Sequence, residues 1–245
     1  MKPATAMIIV VRPSLVPSLS MPSPGILALA LLWPPLAPSR AGDAPPPVSV
    51  TVELENDVVR VIHPRLAPHA SVPNHEHPAR VIVPLTGGRV EQSFDDGRVS
   101  SAELQAGEAR YSPPVRHAVR NLSDTPVELI EVELKPLARP KPVALPDRLA
   151  QDPAHFSLVL ENDKVRVLRF RLGPHESGPR HTDTPHVSVF LTDARLRLTD
   201  AAGHARDAEA RAGLAAWSGA DEHVPENLGD APLELLSIEP KALPE

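Results

Sequence analysis

The stretch Leu54-Glu55-Asn56-Asp57-Val58-Val59-Arg60-Val61 returns as Leu160-Glu161-Asn162-Asp163-Lys164-Val165-Arg166-Val167, an offset of 106 residues. Kept without a gap, this offset lays Pro68-His69 on Pro174-His175, His75 on His181, Gly107 on Gly213 and His117 on His223. It also lays the run from Asn121 to Leu129 on the run from Asn227 to Leu235. One ungapped register with so many matches marks the duplication of a domain-sized unit, because solenoid repeats have periods of only about 20–50 residues.

Each unit is patterned as short strands. Val48 to Glu55 alternates β-branched and polar residues, and Val58 to Ile62 follows an Asn-Asp turn. Val81 to Leu85 is apolar, Asp95-Asp96-Gly97 signals a turn, and Val127 to Leu134 alternates again. Short strands with turns between them predict an all-β sandwich or barrel. The 31 prolines and 12 glycines agree with many turns, and the core must be aliphatic because the chain has only four Phe, two Trp and one Tyr. Pro136, Pro140, Pro142 and Pro146 punctuate the segment between the units, which reads as a stiff extended connector. The predicted organisation is a first domain over 48–135, a proline-rich linker over 136–150 and a second domain over 151–245.

Residues 1–41 differ from the rest: they contain no Asp or Glu, carry Lys2 and Arg12, and include the apolar run Gly25 to Trp33. That run is too short to span a bilayer. Ser39-Arg40-Ala41 places small residues at signal-peptidase spacing. The segment reads as an export signal, with a disordered leader as the other reading. Export would make the protein periplasmic or secreted, and without export it would be cytoplasmic. No stable membrane insertion is expected.

A net charge of −6 and the lack of a basic stripe argue against a nucleic-acid partner. The chain has no cysteine, which excludes disulfides, thiolate nucleophiles and Cys-ligated zinc. Its few aromatic rings make carbohydrate a poor ligand. A small-molecule substrate or ligand remains the expected partner, and an oligomer is compatible with the sequence.

Of the eleven histidines, six that sit in corresponding parts of the two units carry the chemistry. His75-Glu76-His77 puts two imidazoles on one face of a strand, where side chains repeat every two residues. His117 follows on a later strand. Three neutral imidazoles on one face suit a first-row divalent metal and leave positions open for water or substrate. In the second unit Asp183 stands where His77 stood, and His186 replaces Arg80. The candidate ligands there are His181, His186 and His223, with or without Asp183. His181, Asp183 and His223 alone would make a two-His-one-carboxylate set, which favours non-haem iron. His63, His155 and His204 read as ordinary polar residues. His69 and His175 follow Pro near a turn and either line a barrel mouth or cap that turn. Tyr111 and Trp217 are equivalent aromatics that line the pockets or belong to the core.

Gly107, Pro113, His117 and Asn121 resemble the second sequence motif of the cupin superfamily, and Gly213, His223 and Asn227 repeat it with Gly219 at the proline position. His75-Glu76-His77 resembles the start of the first motif, closing at Gly87. The resemblance covers about Val48–Leu134 and Phe156–Leu243. It implies a bicupin: two tandem double-stranded β-helix (jelly-roll) barrels, each holding one divalent metal through three His and a Glu. The Glu slot falls instead on Arg80 and His186. The first site then resembles the three-His sites of thiol and diketone dioxygenases. Arg cannot ligate a metal, so Arg80 would orient an anionic substrate or face away. Fe(II) is the favoured ion, with Mn, Zn, Ni and Cu also compatible. The expected function is a metal-binding bicupin, an iron-dependent dioxygenase or related enzyme acting on a small organic acid. The alternative is a non-catalytic small-molecule or metal-binding cupin. The first unit is expected to hold the more regular metal site.

Overall fold

The structure is a computed structural model that describes residues 47–245. The expected export segment, and the compartment inferred from it, lie outside the described residues. The first unit contains β1 (Val48–Glu55), β2 (Val59–Leu66), β3 (Ser71–His77), β4 (Arg80–Pro84), β5 (Gly88–Phe94), β6 (Val99–Leu104), β7 (Arg110–Ser112), β8 (Val115–Asn121) and β9 (Val127–Leu134). After β10 (Pro140–Pro142) and the short helix α1 (Arg148–Gln151), the pattern returns. The second unit has β11 (Phe156–Glu161), β12 (Val165–Leu172), β13 (His181–Asp183), β14 (His186–Phe190), β15 (Ala194–Asp200), β16 (Ala205–Ala210), β17 (Ala215–Ser218), β18 (Asp221–Asn227) and β19 (Leu233–Pro240), and β20 (Ala242–Pro244) ends the chain.

Each unit folds into two antiparallel sheets. The first has orders β1-β2-β9-β4-β7 and β3-β8-β5-β6, and the second has β11-β12-β19-β14-β17 and β13-β18-β15-β16. The strand orders are identical, so the all-β pair of units read from the repeat, folded as the jelly-roll barrels that the cupin resemblance implies, is the architecture observed. Among the described residues, no helix is long and apolar enough to cross a membrane.

The repeated octapeptide has a mechanical role. Asn56 Oδ1 accepts from the Val58 and Val59 amides at 2.8 and 2.9 Å, and Asn162 Oδ1 does the same for Lys164 and Val165 at 2.8 and 3.0 Å. An Asn side chain that caps its own turn reverses the chain tightly, which is why β1 and β2 pair directly. Asn121 and Asn227 act similarly. The Asn121 amide donates to Ala67 O at 3.0 Å and Thr125 O at 2.9 Å, and Asn227 donates to Gly173 O at 2.8 Å and Ala231 O at 2.9 Å. These motif residues therefore tie loops together. His69 and His175 cap turns: both have positive φ, 59° and 55°, and each pairs with an exposed Asp, Asp124 at 2.9 Å and Asp230 at 2.8 Å.

The main core lies between the units. Val59, Val61, Val81 and Val83 of one sheet and Val165, Val167, Val187 and Val189 of the other belong to a single buried cluster. Gly107 and Gly213 permit the close approach. Both have positive φ, 79° and 87°. A Cβ at Gly107 would sit 3.3 Å from Leu191 Cδ1, and one at Gly213 would sit 3.0 Å from Leu85 Cδ1. Leu85 and Leu191 are themselves 106 apart, so the two units meet through equivalent patches.

The connector differs from the free extended spacer that its prolines suggest. β10 pairs with β20, and Arg166 Nη1 donates to Pro146 O at 2.9 Å. Asp147 accepts from the Ala150 amide as the N-cap of α1. The linker is thereby docked on the second barrel.

Candidate metal centres

In the first barrel, pairing of β3 with β8 sets His75 directly opposite His117. His77 lies two residues along β3 on the same face. One ligand atom from each of these three histidines lies within 4.8 Å of the others. Each ring uses Nδ1 elsewhere. His75 Nδ1 meets Pro73 O at 2.8 Å, His77 Nδ1 meets Glu133 Oε1 at 2.9 Å, and His117 Nδ1 meets Gln92 Oε1 at 3.2 Å. A ring whose Nδ1–H is committed to an acceptor presents the Nε2 lone pair. His117 Nε2 is buried and has no hydrogen-bond partner among the described residues. An imidazole nitrogen so placed fits a metal ligand, and the three together form a neutral donor set suited to a divalent ion.

Arg80 faces inward. Its side chain is 2% exposed, and Nε lies 3.0 Å from Glu131 Oε2. Nη1 is buried with no hydrogen-bond partner among the described residues. Burial, then the charge of Arg80, then His75 and His77 push His117 down to about 4. Glu131 Oε2 lies 3.0 Å from Arg80 Nε and 3.5 Å from His77 Nδ1, which puts the guanidinium beside the cluster.

Glu131 and Glu133 were not anticipated from the sequence. Both are buried on β9, and together with His77 they form a second group of ligand atoms within 4.8 Å. Glu133 also pairs with Arg60 at 3.2 Å. Although burial works against its charge, hydrogen bonds and charge from His77 and Arg60 hold Glu133 below the usual Glu value. A carboxylate on Nδ1 of a ligating His fixes its tautomer and ring orientation, which is the role this geometry gives Glu133.

In the second barrel, His181 is opposite His223 and Asp183 is opposite Asp221. His181, Asp183 and His223 converge within 4.8 Å. Asp183 turns inward: Oδ1 lies 3.7 Å from His181 Nε2, and Oδ2 lies 3.7 Å from His223 Nε2. His186 is not brought into this group. Its Nδ1 meets Thr184 O at 2.8 Å and its Nε2 meets Ser188 Oγ at 3.0 Å, so both ring nitrogens are engaged. Burial lowers both His181 and His223 from the usual His value, with Asp183 opposing. Burial works against the charge of Asp183 too, but His186, Arg148, His223 and His181 hold it below the usual Asp value.

Arg148 of α1 was also not anticipated. It is 2% exposed, donates to Asp183 Oδ1, and donates to Thr182 O at 2.9 Å. The charges of the two barrels match in kind. One ion pair is repeated, Arg60–Glu133 and Arg166–Glu239. A second pair differs, Arg80–Glu131 in one barrel and Arg148–Asp183 in the other. Where Arg80 becomes His186, Glu131 becomes Ser237. Both partners change together because a buried charge left alone is costly.

The depressed His117 gives the metal-free protein a defined acid response. Its folded value, about 4, lies below the unfolded 6.5. Between these values the unfolded chain takes up a proton that the folded chain refuses. Stability should therefore fall as pH drops from 6.5 toward 4, by about 3 kcal/mol from this group. His181 and His223 act in the same direction. Urea midpoints at pH 7.5 and pH 4.5 measure the loss, and His117→Ala should reduce it. Equal midpoints at both pH values would contradict the burial of these rings.

No family model and no curated protein sequence matches the chain. Among solved structures, a cupin domain from Bordetella pertussis Tohama I is 31% identical, and the match covers 37% of this chain and 96% of that one, with a TM-score of 0.35. AerE from Microcystis aeruginosa is 15% identical over 80% of this chain and 93% of that one, with a TM-score of 0.59. The oxalate decarboxylase of Bacillus subtilis, a protein with Mn(II) centres, is 16% identical over 78% of this chain and 72% of that one, with a TM-score of 0.54. The last two likenesses establish the fold across both units.

Proposed function

We propose that the chain, which shares its fold with AerE and the Bacillus subtilis oxalate decarboxylase, is a metal-dependent bicupin of the cupin superfamily acting on a small organic acid, with its working centre in the first barrel. The observation that carries this reading is the juxtaposition of His75, His77 and His117 with the buried Arg80, whose Nη1 has no hydrogen-bond partner among the described residues. The three imidazoles would hold a divalent ion, iron(II) or manganese(II). Such an ion supplies Lewis acidity and one-electron chemistry with dioxygen. The imidazoles add no negative charge, and Arg60 and Arg80 balance Glu133 and Glu131. A bound dication would thus keep its full attraction for an anion. Arg80 would receive one carboxylate oxygen by a charge-assisted hydrogen bond and so orient the substrate. Glu133 would keep His77 in the ligating tautomer.

The test is turnover by protein loaded separately with Fe(II) and Mn(II). Oxygen uptake and carbon dioxide release are followed with oxalate and other small mono- and dicarboxylates. We expect turnover of at least one acid, and Arg80→Gln should raise KM by roughly tenfold or more while metal content holds. Stoichiometric metal with no turnover of any acid would favour the second reading, a non-catalytic binding protein. The engagement of both inner carboxylates with guanidinium groups supports that reading, because it leaves no free general base on β9.

A further inference from the structure

The histidine cluster of the second barrel carries an aromatic and cationic cover. Phe156 and Phe170 stack at 4.7 Å, and both lie against His181, at 5.4 and 6.0 Å between centroids. The equivalent positions in the first unit are Val50, which is 53% exposed, and Pro64. The guanidinium of Arg148 lies over the Phe156 ring at 5.1 Å. It also reaches Asp183 and lies 3.8 Å from Glu239. In sequence, the repeat offset lays Arg148 on Gly42, which lies outside the described residues.

We propose that the second barrel is a latent metal site held shut by its own linker, with the Arg148 guanidinium standing as the cation beside Asp183. A metal ion entering there would have to share a ligand carboxylate already bonded to the Arg148 cation, whereas Arg80 in the first barrel pairs with Glu131, outside the His75, His77 and His117 set. The aromatic pair narrows the approach. The consequence is a division between the barrels: the first binds metal tightly, and the second binds it only when the charge on α1 is removed. This inference rests on the metal reading of the histidine clusters.

The experiment measures Mn(II) stoichiometry and affinity by calorimetry and elemental analysis on the full chain. Wild type should show one tight site, lost in His117→Ala. Arg148→Gln should add a second site, at least about tenfold tighter than any second-barrel binding in wild type, because removing a like charge near a cation relieves repulsion. That new site should vanish with His223→Ala. Arg148→Lys keeps the charge and should stay at one site, which a purely structural role for the side chain would not require. If Arg148→Gln fails to fold because Asp183 is left unpaired, Arg148→Gln combined with Asp183→His restores a three-His set without a buried lone carboxylate and should bind two ions.

Two equal tight sites in wild type, one of them lost with His223→Ala, would overturn the latch. So would one site in wild type and still one in every folded Arg148→Gln chain. No Mn(II) bound by any of these chains would overturn the metal reading itself, and the latch with it.

Discussion

A chain carrying His75→Ala with His77→Ala is expected to retain under about a tenth of an equivalent of divalent metal, against about one in the wild type, since a three-His site stripped to one ligand has little affinity. The fold should survive. The two rings lie on β3, in the sheet away from the inter-unit core, where Val81, Val83, Ile130 and Val132 are 0% exposed. Elemental analysis on anaerobically purified protein reads the metal, and far-ultraviolet circular dichroism checks the β content. Glu133→Gln is expected to weaken binding by about 10–100-fold without abolishing it, because it loosens the orientation of His77 and removes no ligand. A folded double mutant with unchanged metal content would place the metal elsewhere.

Glu239→Ala is expected to be the most destabilising single change outside the histidine clusters. Glu239 is 0% exposed, lies 2.5 Å from Arg166 Nε and 3.8 Å from Arg148 Nη2, and belongs to a strand at the centre of its sheet. Its removal strands buried positive charge, at a cost of about 3–5 kcal/mol. For a chain of this size that lowers Tm by roughly 10 °C or more. The repeat supplies an internal control. Glu133→Ala removes the equivalent carboxylate, but its partner Arg60 has a side chain 40% exposed and can turn to water. The second change should therefore cost clearly less. Thermal unfolding of the two variants compares them directly, and equal losses would contradict the buried-network account.

The fold was legible because the duplication supplies its own check. Asn56 and Asn162 recur in identical turns, and Gly107 and Gly213 recur where the units touch, so one register carries turn chemistry, strand spacing and packing together. The histidine clusters were legible for a related reason: His-x-His on a strand puts two rings on one face whatever lies around it. The residues that complete the sites were less visible. Glu131 and Glu133 alternate with Ile130, Val132 and Leu134, a pattern that reads as a solvent-facing side. In a barrel with a polar interior the polar side of a strand faces inward. The recurrence of Arg60 with Glu133 as Arg166 with Glu239 was the available signal. The inward turn of Arg80 could not be read from alternation, because Pro78 interrupts the strand just before it. Arg148 lay in a segment whose prolines suggest a spacer, and its burial depends on Asp183, 35 residues later. His186 stands at a candidate ligand position, but its local partners Thr184 and Ser188 hold both nitrogens.

The central claim is that His75, His77 and His117 hold a divalent ion through their Nε2 atoms. It is tested most directly by a crystal structure of the Mn(II)-loaded protein with anomalous difference density at the metal edge. The account predicts a peak in the first barrel, with three nitrogens at about 2.0–2.2 Å and the remaining positions open to solvent or a carboxylate. A peak held only by oxygen ligands, or no peak among these three rings at full metal loading, would contradict it.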